Sequence, residues 1–551
     1  SNISGSLSSD SGNMTLSGAT EVSGILKASN ISLTGTVTLA GNTFNINASR
    51  NLTIGFLANT GGEIGGGTIS ANSLTWTTTP GTLQLNGTQI TLGDTAANDW
   101  SGMDLILKGK SGAIFNVKNA DVKLKSLVLE EGSGTASFGS LETAGNLKVL
   151  DNNAKLNLGA NSTLTVGGDM TLNSFSNWGT VTVDVAGNYT GGHMLTAKDI
   201  TVGGNVDLTS NLTATESLWI KGTVEVIKNA SILDGQKSLI IDEAVTNSGT
   251  IKSSSGSITL NGDVTLNAGS SLLATNGTIS LGGDLTANGS AGKPVTITTR
   301  QLQGDTAKTI SLTNADMSLT GSSDTSTMGT LEMTGSALNV SSSLTAGAVS
   351  VDETSSVSVG KDIHFESLTS SGLVESTAGN ITITGAVDVK DGGLLEALST
   401  EDGTGSISTG ELANAGTIQA NGTIIVTGDL KANTGTIQSL EKDIVITGDA
   451  NLEANGKLIA ATYDEITQEW TGTGNISIGG TLTTSGQTGE RVMLVSSKLL
   501  GTGTSGSDMT LSFTDLILTD KTDADHTASP VKAGNVTLTD SLFSSASGIE
   551  A

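Results

Sequence analysis

The sequence predicts an all-β chain wound as a β-solenoid, and three observations predict it. A short motif recurs at near-constant spacing, apolar and polar residues alternate within it, and the marks of an ordinary globular interior are thin. Of 551 residues only 3% are aromatic, and the chain has 73 Gly, 3 Pro and no Cys.

The motif reads apolar-x-apolar-x-Gly-x-apolar, often with Gly-Asp or Gly-Asn at the turn. It runs over Leu164–Met170, Ile200–Val206, Ile258–Val264, Ile279–Leu285, Val357–Ile363, Ile381–Val387, Ile425–Leu430, Ile444–Ala450 and Ile476–Leu482. Weaker forms begin at Met14 and Ile31. Asp263 and Asp284 lie 21 residues apart, Asp429 and Asp449 lie 20 apart, and Asp362 and Ala386 lie 24 apart. Gaps of 36 from Asp169 to Asn205 and 43 from Ala386 to Asp429 leave room for one or two degenerate turns. A unit of about 20–24 residues is too short for a helix pair or a propeller blade and matches one solenoid coil.

Each part of the coil follows from its residues. Ile258-Thr259-Leu260 and Ile381-Thr382-Ile383 alternate with period two, as a half-buried strand does. Val, Ile, Leu and Thr suit a pleated surface. Gly, Asn and Asp between strands predict turns with positive φ and local side-chain hydrogen bonds. No sustained 3.6-residue stripe predicts a major helix. At one coil per 21 residues the chain makes about 26 coils and a rod of roughly 125 Å. Proline is scarce where coil backbone is paired on both sides, so Pro80, Pro294 and Pro530 mark loops. Coils are expected over 1–490, with 60–130 less regular and open to loop insertions. That stretch holds the Gly61–Gly67 run, Trp76 and Trp100. Residues 491–551 read as a cap or a junction to a further module. The start at Ser1 reads as a processed or excised chain.

Composition excludes several function classes. With 53 acidic against 26 basic residues the net charge is −27, which opposes nucleic acid and anionic membranes. No apolar run approaches the ~18 residues of a membrane span. Without Cys there is no disulfide framework and no thiolate metal site.

The run Ile-Thr-Leu-Asn-Gly-Asp-Val-Thr-Leu-Asn-Ala-Gly from Ile258 to Gly269 resembles the repeats of bacterial secreted β-helix proteins, the filamentous-haemagglutinin-like exoproteins and autotransporter passenger domains. The resemblance rests on period and composition over most of the chain. It implies a right-handed parallel β-helix at the outer surface of a Gram-negative cell, serving as an adhesin or fibre. Neither the secretion domain nor the membrane barrel of those families is recognisable, so the chain corresponds to a passenger region or to another surface-layer or fibre protein.

Candidate chemistry is sparse. The recurrent Asp169, Asp263, Asp284, Asp362, Asp429 and Asp449 suggest Ca²⁺ carboxylates, but the nonapeptide of calcium-loaded β-rolls is absent. The favoured reading is a turn Asp bonding nearby backbone N–H groups, with only weak Ca²⁺ association screening the charge. The acidic neighbours Glu130-Glu131, Asp242-Glu243, Glu401-Asp402 and Asp464-Glu465 point to opposite strand faces and make no acid/base pair. Arg50, Arg300, Arg491, His193 and His364 are scattered, and Asp523-Ala524-Asp525-His526 is the one His/carboxylate cluster. Asn30, Asn51, Asn86, Asn211, Asn276, Asn380, Asn421 and Asn475 head Asn-x-Ser/Thr triplets, weak glycosylation signals in a chain rich in Ser and Thr. Trp76, Trp100, Trp178, Trp219 and Trp470 are partner anchors or, more often in such a fold, covers for coil ends and loops.

No catalytic, cofactor-binding or metal-ligating residue is assigned. The expectation is a non-catalytic extracellular surface adhesin or fibre-like protein. Its partners would be a host surface, a matrix or glycan ligand, or further copies of itself. The alternatives are a self-assembling surface-layer or filament subunit and a β-helix polysaccharide lyase or glycoside hydrolase.

Overall fold

The computed structural model describes residues 1–496 apart from 42, 94–97, 109–111, 118–119, 131, 133, 228–230, 400–404, 467–468, 472–473 and 486–491. Beyond these it describes the backbone of Lys498–Thr502, Met509–Ser512, Leu516–Thr519, Thr537–Thr539 and Ser541–Phe543. The chain is all-β, a stack of about 22 turns of parallel strands. Among the described residues the helical content is one 3₁₀ turn at Thr60–Gly62. The chain divides into two compact units, Ser1–Asp263 and Val264–Ala551.

In each unit a strand pairs in parallel with its equivalent one coil later. In the first, Leu147, Met170, Tyr189, Val206, Val224 and Val245 form one inward column. In the second, Val264, Leu285, Ile310, Leu331, Val349, Leu368, Val387, Leu412, Leu430, Ala450 and Leu482 form another. All of them are buried, and each buried aliphatic side chain contributes about 1.5–3 kcal/mol relative to exposure.

Coil length varies more than the motif spacing predicted. It falls to 17 residues from Tyr189 to Val206 and reaches 25 from Val387 to Leu412. From Ala450 to Leu482 it reaches 32, because an antiparallel hairpin, Thr462–Asp464 with Glu469–Thr471, is inserted there. The connections absorb most of the difference, and some strand pairs shift register, as at Leu412/Ala413 and Leu430/Asn433. Each long motif gap proves to contain one intervening coil: Asn188 lies between Asp169 and Asn205, and Glu411 between Ala386 and Asp429.

Aromatic side chains contribute more to the core than expected. Trp76, Trp100 and Trp178 are 7%, 5% and 6% exposed, which corrects their reading as covers for coil ends and loops. Trp100 meets Phe115 edge-on at 5.6 Å, and Phe115 meets Phe138 at 6.0 Å. Such pairs add stabilisation beyond the area they bury. The glycine run of the less regular stretch makes room for another ring. A Cβ on Gly67 would lie 2.4 Å from the Phe44 ring, and Gly67 has φ of 72°. Pro80 and Pro294 stand outside strands, whereas Pro530 lies outside the described residues.

Candidate functional site

The turn acids and amides form ladders that run from coil to coil. In the first unit Asn146 Oδ1 accepts the Asp169 N–H at 2.8 Å, and Asp169 Oδ1 accepts that of Asn188 at 2.9 Å. Asn188 Oδ1 then accepts the Asn205 N–H at 2.8 Å, and Asn205 Oδ1 that of Thr223 at 3.0 Å. In the second unit Asp284 Oδ1 accepts from Thr309, Asp362 from Asn380, and Asn380 from Ser406, at 2.8, 2.9 and 2.9 Å. Asp429 accepts from Asp449 at 3.0 Å and Asp449 from Thr481 at 2.7 Å. The expected acceptor role is therefore right in kind but local in the wrong sense. The donor is one coil away, because parallel stacking sets the equivalent turn about 4.8 Å above.

This geometry also explains the glycine of the motif. A Cβ on Gly168, Gly187, Gly204 or Gly448 would lie 2.2, 2.5, 2.6 or 2.2 Å from the rung oxygen of the preceding coil. None of these four has a positive φ, so the expectation of left-handed turns is corrected here. Glycine is required for close approach, not for its dihedral freedom.

The Asn-x-Ser/Thr triplets have the same origin. Asn211 and Asn380 are rungs, while Asn30 and Asn51 belong to an outer ladder of side chains, Asn13–Asn30–Asn51–Ser73. Asn86, Asn421 and Asn475 donate to Glu63, the Ser399 carbonyl and Asp443. Asn380 is followed by buried Ile381 and outward Thr382, so the triplet spells a rung, an inward residue and an outward residue.

The remaining candidates are dispersed. Glu130 pairs with Lys108 at 3.7 Å, and Arg300 with Asp324 at 3.0 Å. Arg50 is exposed, and His364 lies in register between Thr345 and Thr382. Asp464 and Glu465 sit at the inserted hairpin, where Asp464 accepts the Ile466 N–H at 2.8 Å. Trp219 is half-exposed; its indole N–H donates to Asp242 at 2.8 Å, and Lys221 Nζ stands 4.6 Å from the ring centroid. Glu131, Glu401, Asp402, Arg491, Asp523, Asp525, His526 and the Trp470 side chain lie outside the described residues. Among the described residues no group of three His, Asp or Glu side chains is placed to hold a metal ion.

A shallow groove, largely open to solvent, lies at another corner, and His193 is among its lining residues. It has a volume of about 420 Å³ and is lined by Leu150, Asp151, Asn152, Asn173, Gly192 and His193. Leu150, Asn173 and Gly192 occupy one corner of three successive coils, tied by Asn173 N to Val149 O at 2.7 Å and Gly192 N to Leu172 O at 3.0 Å. The next coil places Thr209 at the same corner. Gly192 lets the coils approach closely at that corner, since a Cβ there would meet Asn173 Oδ1 at 2.4 Å. Asp151 forms one wall. Backbone N–H groups of Asn153 and Gly132 donate to it at 2.7 and 3.1 Å and hold its pKa below the ordinary carboxylate value. The sequence offered no sign of Asn173 or Gly192, because no motif marks this corner.

No family model, curated protein or solved structure matches the chain. Fold and site together define a parallel β-solenoid with polar ladders at one set of corners and an open polar groove at another.

Proposed function

We propose that this chain is a non-catalytic surface protein of a bacterium, an extracellular adhesin or fibre-like scaffold. Its outer faces and loops engage a host surface, a matrix or a glycan. The observation that carries this reading is the fate of the repeated turn acids. Asp169, Asp284, Asp362, Asp429 and Asp449 each accept a backbone N–H of the following coil. Residues whose repetition first suggested ion binding thus have a mechanical use. They close the gap between coils and hold the outer faces in register, which is what a presenting scaffold requires. No described helix is long and apolar enough to cross a membrane.

Two measurements test the reading. Protease treatment of intact cells should remove the chain while cytoplasmic markers survive, and incubation with a polysaccharide panel should leave polymer length unchanged. Protection of the chain inside intact cells, or shortening of any polymer, overturns it. EDTA should leave the melting temperature unaltered, since each rung oxygen already has a donor; a fall of several degrees would restore calcium as a structural ligand.

A further inference from the structure

We propose that the groove between Leu150 and His193 is a binding subsite for a neutral sugar unit of a glycan, an inference that rests on the surface-protein reading above. With a volume of about 420 Å³ and a mouth largely open to solvent, the groove suits one face of a sugar ring laid against it, in contrast to an enclosing small-molecule pocket. Its lining is selective in charge. Among the described residues no Lys or Arg contributes to it, so an anion has no counter-charge. Its one carboxylate, Asp151, is held by two backbone N–H groups, so a multivalent cation lacks the convergent oxygens it needs.

What remains is neutral and amphipathic. The carboxamides of Asn152 and Asn173 and the imidazole of His193 each offer both donor and acceptor capacity, and none is spent on a side-chain hydrogen bond among the described residues. Hydroxyl groups have that same dual character. Apolar surface lies beside them, since Leu150 in the lining is 44% exposed. A pyranose presents hydroxyls at its rim and C–H groups on its face, and so answers both surfaces. The Asn173 carboxamide packs against the bare backbone of Gly192, which fixes its place in the groove wall. The net charge of −27 further disfavours acidic sugars at long range.

The test titrates the full chain with methyl glycosides of glucose, galactose, mannose and N-acetylglucosamine and with their disaccharides. Binding is followed by saturation-transfer NMR and calorimetry. At least one probe should bind, and Asn173→Ala and His193→Ala should each weaken it by about tenfold, the loss of one or two hydrogen bonds. Gly192→Ala should abolish it by displacing Asn173. Because that change also strains the coil, the two side-chain truncations, checked for an unaltered melting temperature, are the decisive variants. Absence of binding by every probe, or binding undiminished in both truncations, overturns the subsite and leaves the surface-protein reading standing. Cleavage of a bound probe would overturn the non-catalytic reading and leave the subsite in place.

Discussion

The first coils, in one unit, and the coils of residues 381–460, in the other, build the same kind of parallel turn with different hardware. Early strands are long: Ile25–Leu39 has 15 residues and Asn45–Leu57 has 13. They pass through corners without ending, by register shifts at Ala28/Asn30 and Leu33/Thr36. Their outer polar column, Asn13–Asn30–Asn51–Ser73, bonds side chain to side chain. Late strands such as Ile381–Ile383, Ile424–Val426 and Ile444–Ile446 have three residues each. Their corners are closed by side chains that bond backbone, as Asp362, Asn380 and Asp429 do. The early corner at Leu33/Thr36 stacks Gly18, Gly35 and Gly55 backbone on backbone, whereas a late rung needs an acceptor side chain.

The largest expected effect breaks a late corner. A Cβ on Gly410 would lie 2.4 Å from the Gly385 carbonyl oxygen and 2.8 Å from that of Thr384, both backbone atoms that cannot swing aside. Gly410→Ala should destabilise the second unit by about 3 kcal/mol in denaturant unfolding. Gly81 has open space around it, and Gly81→Ala should change stability by about 0.5 kcal/mol or less. Equal losses in the two variants would mean that crowding is not what the motif glycine answers.

Rungs come next. Asp429→Ala removes the acceptor for the Asp449 N–H and should cost about 1 kcal/mol, while Asp429→Asn keeps the acceptor and should be nearly neutral. The same position carries Asn at 188, 205 and 380, where it performs the same task. If Asn failed where Ala also failed, charge and not the acceptor would be the operative property. Asn30→Ala, in the early ladder, leaves only exposed carboxamides without a partner and should cost no more than about 0.5 kcal/mol.

The same contrast shows what was legible in the sequence. The β-solenoid was readable because late corners write themselves as Gly-Asp and Gly-Asn at coil spacing. The early coils gave weak repeats because their stacked Gly18, Gly35 and Gly55 are followed by Ala, Thr and Phe, not by Asp or Asn. Coil length was read too narrowly because the motif reports only strands and rungs, not the connections between them. Asn188 was legible as a rung, since Val183-Asp184-Val185-Ala186-Gly187-Asn188-Tyr189 fits the motif and stands 19 residues after Asp169. The groove was illegible for a different reason. Leu150, Asn173 and Gly192 share no residue type, and only stacking places them on one corner.

The smallest effect separates the two regions by pH. Glu375 and Glu396 are register partners in adjacent coils, in a column continued by Gln419 and Gln438. Ser358 donates to Glu375. Burial, and then the charge of Glu375, raises the pKa of Glu396 above its ordinary value of 4.5. The folded chain therefore holds this proton more tightly than the unfolded chain does. Its contribution to stability is complete below the ordinary value and is lost as pH climbs through the raised one. Glu396→Gln, which extends the existing glutamine column, should match the parent at pH 4 and melt higher than it at pH 7. A melting difference that does not change with pH would show that packing, not the proton, sets the effect. The early ladder of Asn13, Asn30, Asn51 and Ser73 has no titrating member, so Asn30→Ala should give the same small difference at both pH values.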